Sequence, residues 1–186
     1  MEIAIPIFDG LTALDAVGPY EVLSRLPDAT VVFVAEEAGS KRTDTGMLGI
    51  SADRTLDEVC SADVVVVPGG WGTRALLTHE PMLAWLRNVH ERSRFTTSVC
   101  TGALLLGAAG ILDGLEATTY HSELETLRQF GATPIRRRVV QQGKVITAAG
   151  VSAGIDMALT LAALLAGEEA AKAIQRGIEY EPEPPF

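Results

Sequence analysis

Residues 63–70 read Asp-Val-Val-Val-Val-Pro-Gly-Gly, a run of four valines that ends in a proline–glycine–glycine turn. Unbroken β-branched residues are typical of a strand that is covered on both faces, as in the middle of a parallel sheet. The stretch therefore predicts a central strand of an α/β fold. Because ligands of such sheets bind outside the carboxyl ends of the strands, the turn at residues 68–70 marks a candidate site.

Strands and helices alternate on both sides of this stretch. Apolar and β-branched runs predict strands at 2–8, 30–35, 95–99 and 117–120, and a hairpin of 137–141 with 145–147. Helical spacing of apolar residues predicts helices around 11–23 and at 81–91, 103–109, 123–130, 152–166 and 168–178. This alternation predicts an α/β fold, specifically a three-layer α/β/α sandwich with a mostly parallel central sheet.

The length of 186 residues suits a single domain, residues 1–186. The C-terminal tail, residues 179–186, contains three prolines and therefore cannot remain helical. We expect this tail to lie across the surface or against a partner.

The charge balance restricts the class of partner. Fifteen lysines and arginines against 24 acidic residues give a net charge of −9, which argues against binding to nucleic acid or to an anionic membrane. A small neutral substrate remains open. The sequence shows neither a secretory signal pattern nor an apolar run of about 18 residues, so we expect a cytoplasmic protein.

Motifs for metals and nucleotides are absent from the sequence. There is no CxxC or HExxH spacing, and the glycine-rich segment 67–72 has neither the ending of a P-loop nor a GxGxxG pattern. We therefore expect no metal and no organic cofactor.

Cys100 follows a predicted strand and precedes a predicted helix. At the amino end of that helix the sulfur would face backbone N–H groups, which favours the thiolate. A sharp strand–turn–helix junction also exposes a nucleophile, and the N–H groups of Thr101 and Gly70 are candidate donors to developing negative charge. The alternative is a buried, unreactive cysteine, and the local pattern leaves both interpretations open. We expect the other cysteine, Cys60, to lie in a helix and to belong to the core.

Asp15 lies in an otherwise apolar segment after the first predicted strand. It is either a helix-capping carboxylate or, if the segment folds over the carboxyl edge of the sheet, a group that exchanges a proton with Cys100. The three histidines occupy predicted surface or capping positions, and none forms an evident pair with Cys100.

Taken together, these residues resemble the ThiJ/PfpI superfamily, whose fold is flavodoxin-like and similar to that of class I glutamine amidotransferases. The resemblance rests on the segments 8–10, 14–23, 67–70, 98–103, 147–156 and 178–180. Within the superfamily, Asp15, the threonine directly after Cys100 and the Glu-Tyr-x-Pro-x-Pro-Pro-Phe ending are similar to the isocyanide hydratase branch. That branch hydrates isocyanides to N-formamides.

The resemblance implies roles for individual residues. Cys100 would be the nucleophile and Asp15 its carboxyl partner, with Thr101 in contact with that carboxyl. The turn at Gly150 and Val151 would lie beside the cysteine.

The implied reaction proceeds through a covalent thioimidate. An apolar pocket suits a small neutral isocyanide, and Trp71 and Tyr120 are candidates for its walls, with core packing as the alternative for both. Thr101 replaces the histidine of peptidase relatives, which argues against peptidase activity. Relatives are commonly dimers, so we expect a homodimer. Two other functions remain open, a redox-responsive protein without enzymatic activity and a glyoxalase-like hydratase of 2-oxoaldehydes.

Overall fold

The computed structural model describes residues 1–183. The strands are β1 (Glu2–Pro6), β2 (Thr30–Ala35), β3 (Gly39–Arg42), β4 (Gly49–Ala52), β5 (Arg54–Thr55), β6 (Val64–Val67), β7 (Phe95–Val99), β8 (Glu116–Ala117), β9 (Thr133–Pro134), β10 (Val139–Gln142) and β11 (Val145–Ala148). The α-helices are α1 (Ala13–Leu23), α2 (Thr73–Leu76), α3 (Glu80–Arg92), α4 (Gly102–Ala108), α5 (Ala153–Ala166) and α6 (Glu168–Gly177).

Seven strands form one sheet in the order β10-β11-β7-β6-β1-β2-β5. All neighbours in it are parallel except β10 and β11, which form the antiparallel hairpin expected at this edge. The valine strand β6 lies in the middle of the order, and all four of its residues are buried. The predicted central strand and the mostly parallel sheet are confirmed.

Helices flank this sheet in two groups. Helix α1 packs against α5, and α5 packs against α6, whereas α4 contacts both α2 and α3. The helical predictions hold except at 123–130, where two 3-10 helices, His121–Glu123 and Glu125–Phe130, replace an α-helix. The second ends at Gly131 with φ +74, a left-handed residue that stops the segment after two short turns.

One sequence expectation is wrong, and one hairpin was not predicted. Cys60 is exposed and lies outside any helix, because the segment before β6 is a series of turns in which its thiol donates to the carbonyl of Asp57. The antiparallel hairpin β3–β4 was not predicted, since each strand has four residues and β3 has no apolar residue.

The start of the C-terminal tail lies against α5. The hydroxyl of Tyr180 donates to Asp156 at 3.2 Å, and Arg138 contacts both of these side chains. Arg138 also donates to the hydroxyl of Ser152, and the Ser152 side chain makes no capping hydrogen bond to α5. Residues 184–186 of the predicted tail lie outside the described residues. Among residues 1–183, no helix is long and apolar enough to cross a membrane.

Candidate active site

Cys100 occupies a sharp turn between β7 and α4. Its φ of +57° is unusual for a residue with a side chain, and such conformations persist only where the surroundings hold them. Here the Cys100 N–H donates to the carbonyls of Ala148 at 3.1 Å and Ala149 at 3.2 Å, and its own carbonyl accepts from the Thr119 hydroxyl at 2.7 Å. The backbone of Cys100 is thus held on both sides.

Asp15 lies in the first turn of α1 and is fully buried. Its Oδ2 accepts a 3.0 Å hydrogen bond from the N–H of Gly69, in the turn after β6. Its Oδ1 has no well-formed hydrogen bond within residues 1–183. The Cys100 thiol lies close enough to the Asp15 carboxyl to lower the pKa of Asp15 by hydrogen bonding. Asp15 therefore joins the turn after β6 to the cysteine rather than capping its own helix.

Burial dominates the protonation of this pair. It raises the pKa of Asp15 to about 7, although the Gly69 N–H and the Cys100 thiol oppose the rise. Burial, together with the adjacent charge of Asp15, also raises the pKa of Cys100 to about 12, although the N–H and hydroxyl of Thr101 lower it. The expectation that the helix end favours a thiolate is therefore wrong for the resting protein. The two groups share one proton above neutral pH.

The hydroxyl of Thr101 is bound by the turn after β6. It accepts from the Gly70 N–H at 2.9 Å and lies 3.2 Å from the hydroxyl of Thr73. Two expectations therefore differ from the structure. Thr101 makes no hydrogen bond to the Asp15 carboxyl, and the N–H of Gly70 is engaged rather than free to stabilise charge. The N–H of Thr101, in contrast, lowers the pKa of Cys100 by hydrogen bonding to its sulfur.

A cavity of about 410 Å³ opens above Cys100. Of the residues predicted for the site, it brings together Gly70, Trp71, Cys100, Thr101, Tyr120 and Val151. Gly150 lies directly behind the wall, because a Cβ added there would lie 2.5 Å from a ring carbon of Tyr120 and 3.3 Å from the Cys100 sulfur. Trp71 is 74% exposed and stands at the mouth, so core packing does not account for it.

Other residues of the cavity were missed by sequence reasoning: Thr12, Asp44, Arg74, Ser122 and Glu123. They come from separate loops and short helices, and no motif joins them. Within the described residues, no histidine lines this cavity. A second cavity of about 440 Å³ lies beside Cys60, but it pairs that thiol with no buried carboxyl.

The model of the DJ-1/PfpI family matches residues 1–164. The chain belongs to the DJ-1/PfpI family. It is 41% identical over 186 residues to a protein named isonitrile hydratase from Pseudomonas putida, covering all of this chain and 81% of that protein.

Solved structures of the DJ-1/PfpI family agree with this assignment. A ThiJ/PfpI family protein from Pseudomonas syringae superposes with a TM-score of 0.96 and 37% identity, covering all of this chain and 77% of that one. DJ-1beta from Drosophila melanogaster superposes with a TM-score of 0.87 and covers 97% of this chain and 98% of its own, but at 22% identity it shows the fold alone. The superfamily and the fold expected from the sequence are confirmed.

Proposed function

We propose that this protein hydrates isocyanides to N-formamides with Cys100 as the nucleophile. The observation that carries the proposal is the buried pair of Asp15 and Cys100, a carboxyl with a pKa of about 7 beside a thiol at the base of a cavity. The similarity of the whole chain to an isonitrile hydratase supports the choice of substrate class.

The first half of the reaction forms a thioimidate. The ionised Asp15 carboxylate removes the thiol proton as the Cys100 sulfur bonds to the terminal carbon of R–N≡C. The same carboxyl then delivers this proton to that carbon and yields R–N=CH–S–Cys100. A pKa near neutrality lets Asp15 both accept and donate a proton within one turnover.

The second half consumes water. Asp15 accepts a proton from a water molecule as the water oxygen adds to the thioimidate carbon. Asp15 then passes this proton to the nitrogen, which gives R–NH–CH(OH)–S–Cys100 and leaves the carboxyl ionised again. The carbon–sulfur bond then breaks, the hydroxyl proton returns through Asp15 to the sulfur, and R–NH–CHO leaves. The Thr101 N–H stabilises the charge that develops on the departing sulfur, whereas Gly70 contributes by holding the Thr101 hydroxyl.

The structure gives less support to the redox alternative. Redox-sensing cysteines are typically exposed and have a low pKa. Cys100 is 5% exposed, and burial raises its pKa to about 12. A glyoxalase-like reaction on 2-oxoaldehydes uses the same groups, so a substrate comparison has to separate it from isocyanide hydration.

The test is to follow the loss of an aryl or alkyl isocyanide and to identify the formamide by mass, for wild type, Cys100→Ala and Asp15→Asn. We expect turnover by wild type alone, and Cys60→Ala should match wild type because the exposed Cys60 lies outside the site. Absence of turnover by wild type, or preferential turnover of a 2-oxoaldehyde, would reject the proposal.

The homodimer and the cytoplasmic location remain predictions. Light scattering coupled to size-exclusion chromatography tests the first, with twice the chain mass expected. Cell fractionation tests the second.

A further inference from the structure

The rim of the Cys100 cavity carries a carboxylate that no cation balances. Asp44 follows β3, and its Oδ2 accepts a 2.7 Å hydrogen bond from the hydroxyl of Thr12. Its backbone N–H donates to the carbonyl of Leu11 at 2.9 Å, which fixes the loop at the cavity. Within residues 1–183, no lysine, arginine or histidine forms an ion pair with it.

Arg74, the cationic side chain on this rim, already makes contacts with neighbouring residues. The Arg74 guanidinium pairs with Glu123 at 2.7 Å and lies 4.3 Å from the ring centroid of Trp71. It also approaches the carbonyl of Gly70 at 3.4 Å. Since Glu123 already neutralises the guanidinium, an anionic substrate would have to compete with this ion pair for Arg74.

The charge of Asp44 reaches the reacting pair. Asp44 is one of the groups that raise the pKa of Asp15, after the larger effect of burial. The rim thus carries Asp44 and the neutralised pair of Arg74 with Glu123, and the pair of Asp15 and Cys100 beneath it is itself negative when Asp15 is ionised. A negatively charged substrate would meet repulsion both at the mouth and at the base.

We infer that the cavity selects uncharged or cationic isocyanides over anionic ones, and that Asp44 determines this selection. The inference rests on the proposed function for its substrate class. The side chains of Trp71, Tyr120 and Val151 would take the apolar body of the substrate, while Asp44 disfavours carboxylate-bearing molecules of the same shape.

The selection can be measured without isocyanide turnover, by alkylation of the thiol. With iodoacetamide or iodoacetate, the sulfur bonds to the methylene carbon, iodide leaves and the thiol proton is released. Peptide mass spectrometry gives the ratio of two alkylation rates at Cys100, that with neutral iodoacetamide divided by that with anionic iodoacetate. The same ratio for free N-acetylcysteinamide, a neutral thiol, serves as the reference for the intrinsic reactivity of the two reagents, because Cys60 itself lies beside Glu36 and Asp57.

We expect the ratio at Cys100 to exceed that of the free thiol by about fivefold at low salt, because nearby fixed charges of this kind change encounter and binding by such factors. Asp44→Asn retains an acceptor for Thr12 and should lower the ratio at Cys100 about threefold without changing Cys60. Added salt should also lower the ratio at Cys100, because it screens the charge of Asp44. The exposed Asp53, which does not line the cavity, provides the matched control Asp53→Asn.

A second variant tests the rim independently. Glu123→Gln releases Arg74 from its ion pair and should also favour iodoacetate at Cys100. Equal ratios at Cys100 and at the free thiol, or a ratio at Cys100 that neither variant changes, would overturn the inference.

Turnover of p-tolyl isocyanide and 4-isocyanobenzoate completes the comparison. We expect the neutral compound to have the higher kcat/KM, and Asp44→Asn to narrow the difference. Turnover of both compounds at equal kcat/KM overturns the charge selection and leaves the hydratase proposal standing. Turnover of neither compound defeats the hydratase proposal, and the alkylation ratios still decide the selection by charge.

Discussion

The hydroxyl of Thr119 donates a 2.7 Å hydrogen bond to the carbonyl oxygen of Cys100. Thr119 is buried and directly precedes Tyr120, which lines the cavity. One short segment thus holds the strained backbone of the cysteine and forms part of the wall above its sulfur. A polar contact distant from Cys100 in sequence therefore positions the nucleophile.

Replacing this hydroxyl should misplace the sulfur. Thr119→Val keeps the shape of the side chain but leaves a buried carbonyl without its donor, which costs about 1–3 kcal/mol. We expect kcat/KM for an isocyanide to fall about tenfold or more through kcat, because geometry at the reacting atom is lost. Thr119→Ser keeps the donor and should restore most of the activity. A valine variant that loses stability yet keeps the wild-type kcat would show that Thr119 has only a structural role.

Activity should depend on pH through Asp15. Below its pKa of about 7 the carboxyl and the thiol both carry protons, so no base is present to remove the thiol proton. We expect kcat/KM to rise about tenfold per pH unit below pH 7 and to level above it, since one ionisation produces the active form. Initial rates between pH 5 and 9 give the profile. Activity that is independent of pH across this range would contradict a role for Asp15 as the base.

The same carboxyl should lower stability at neutral pH. The folded protein holds the Asp15 proton up to about pH 7, whereas the unfolded chain releases it near 3.8. The folded state therefore binds more protons between these values, and its stability declines as pH rises through this interval. The full shift corresponds to about 4 kcal/mol.

Asp15→Asn removes this ionisation. We expect the variant to be similar to wild type in stability near pH 4 and to be more stable by up to about 4 kcal/mol at pH 8. Urea unfolding at both pH values measures the difference, and Asp53→Asn is the control at an exposed position. A variant that is less stable than wild type at pH 8 would show that burial does not disfavour the ionised Asp15.

The fold was readable from the sequence because its decisive strands are local patterns. The valines of β6 and the β-branched run of β7 identify buried parallel strands without knowledge of their neighbours. Strand β3 lacked such a pattern, since the sequence Gly-Ser-Lys-Arg gives no apolar alternation.

The site was only partly predictable, because its electrostatics depend on tertiary packing. The turn at Cys100 follows from a strand that meets a helix, and this was anticipated. The local pattern favoured a thiolate, whereas burial of the thiol and the adjacent Asp15 carboxylate raise the pKa of Cys100 instead. The ion pair of Arg74 with Glu123 joins elements 49 residues apart and left no sequence signal.

Gly69 has no side chain, and this allows Asp15, Thr101 and the turn after β6 to lie close together. A Cβ at this position would lie 2.5 Å from the backbone nitrogen of Thr101 and 2.9 Å from Oδ2 of Asp15, both closer than side-chain carbons pack. Gly69→Ala should therefore separate Asp15 from Cys100 and reduce kcat/KM by about a hundredfold, because a misplacement of about 1 Å at the reacting centre has effects of this size. Gly177→Ala is the matched control, since a Cβ there meets nothing within 4 Å. Circular dichroism shows whether the Gly69 variant still folds, and the pH profile shows whether Asp15 still controls the rate. A folded Gly69→Ala protein with wild-type activity and an unchanged acid limb would contradict the dependence of the reaction on this close approach.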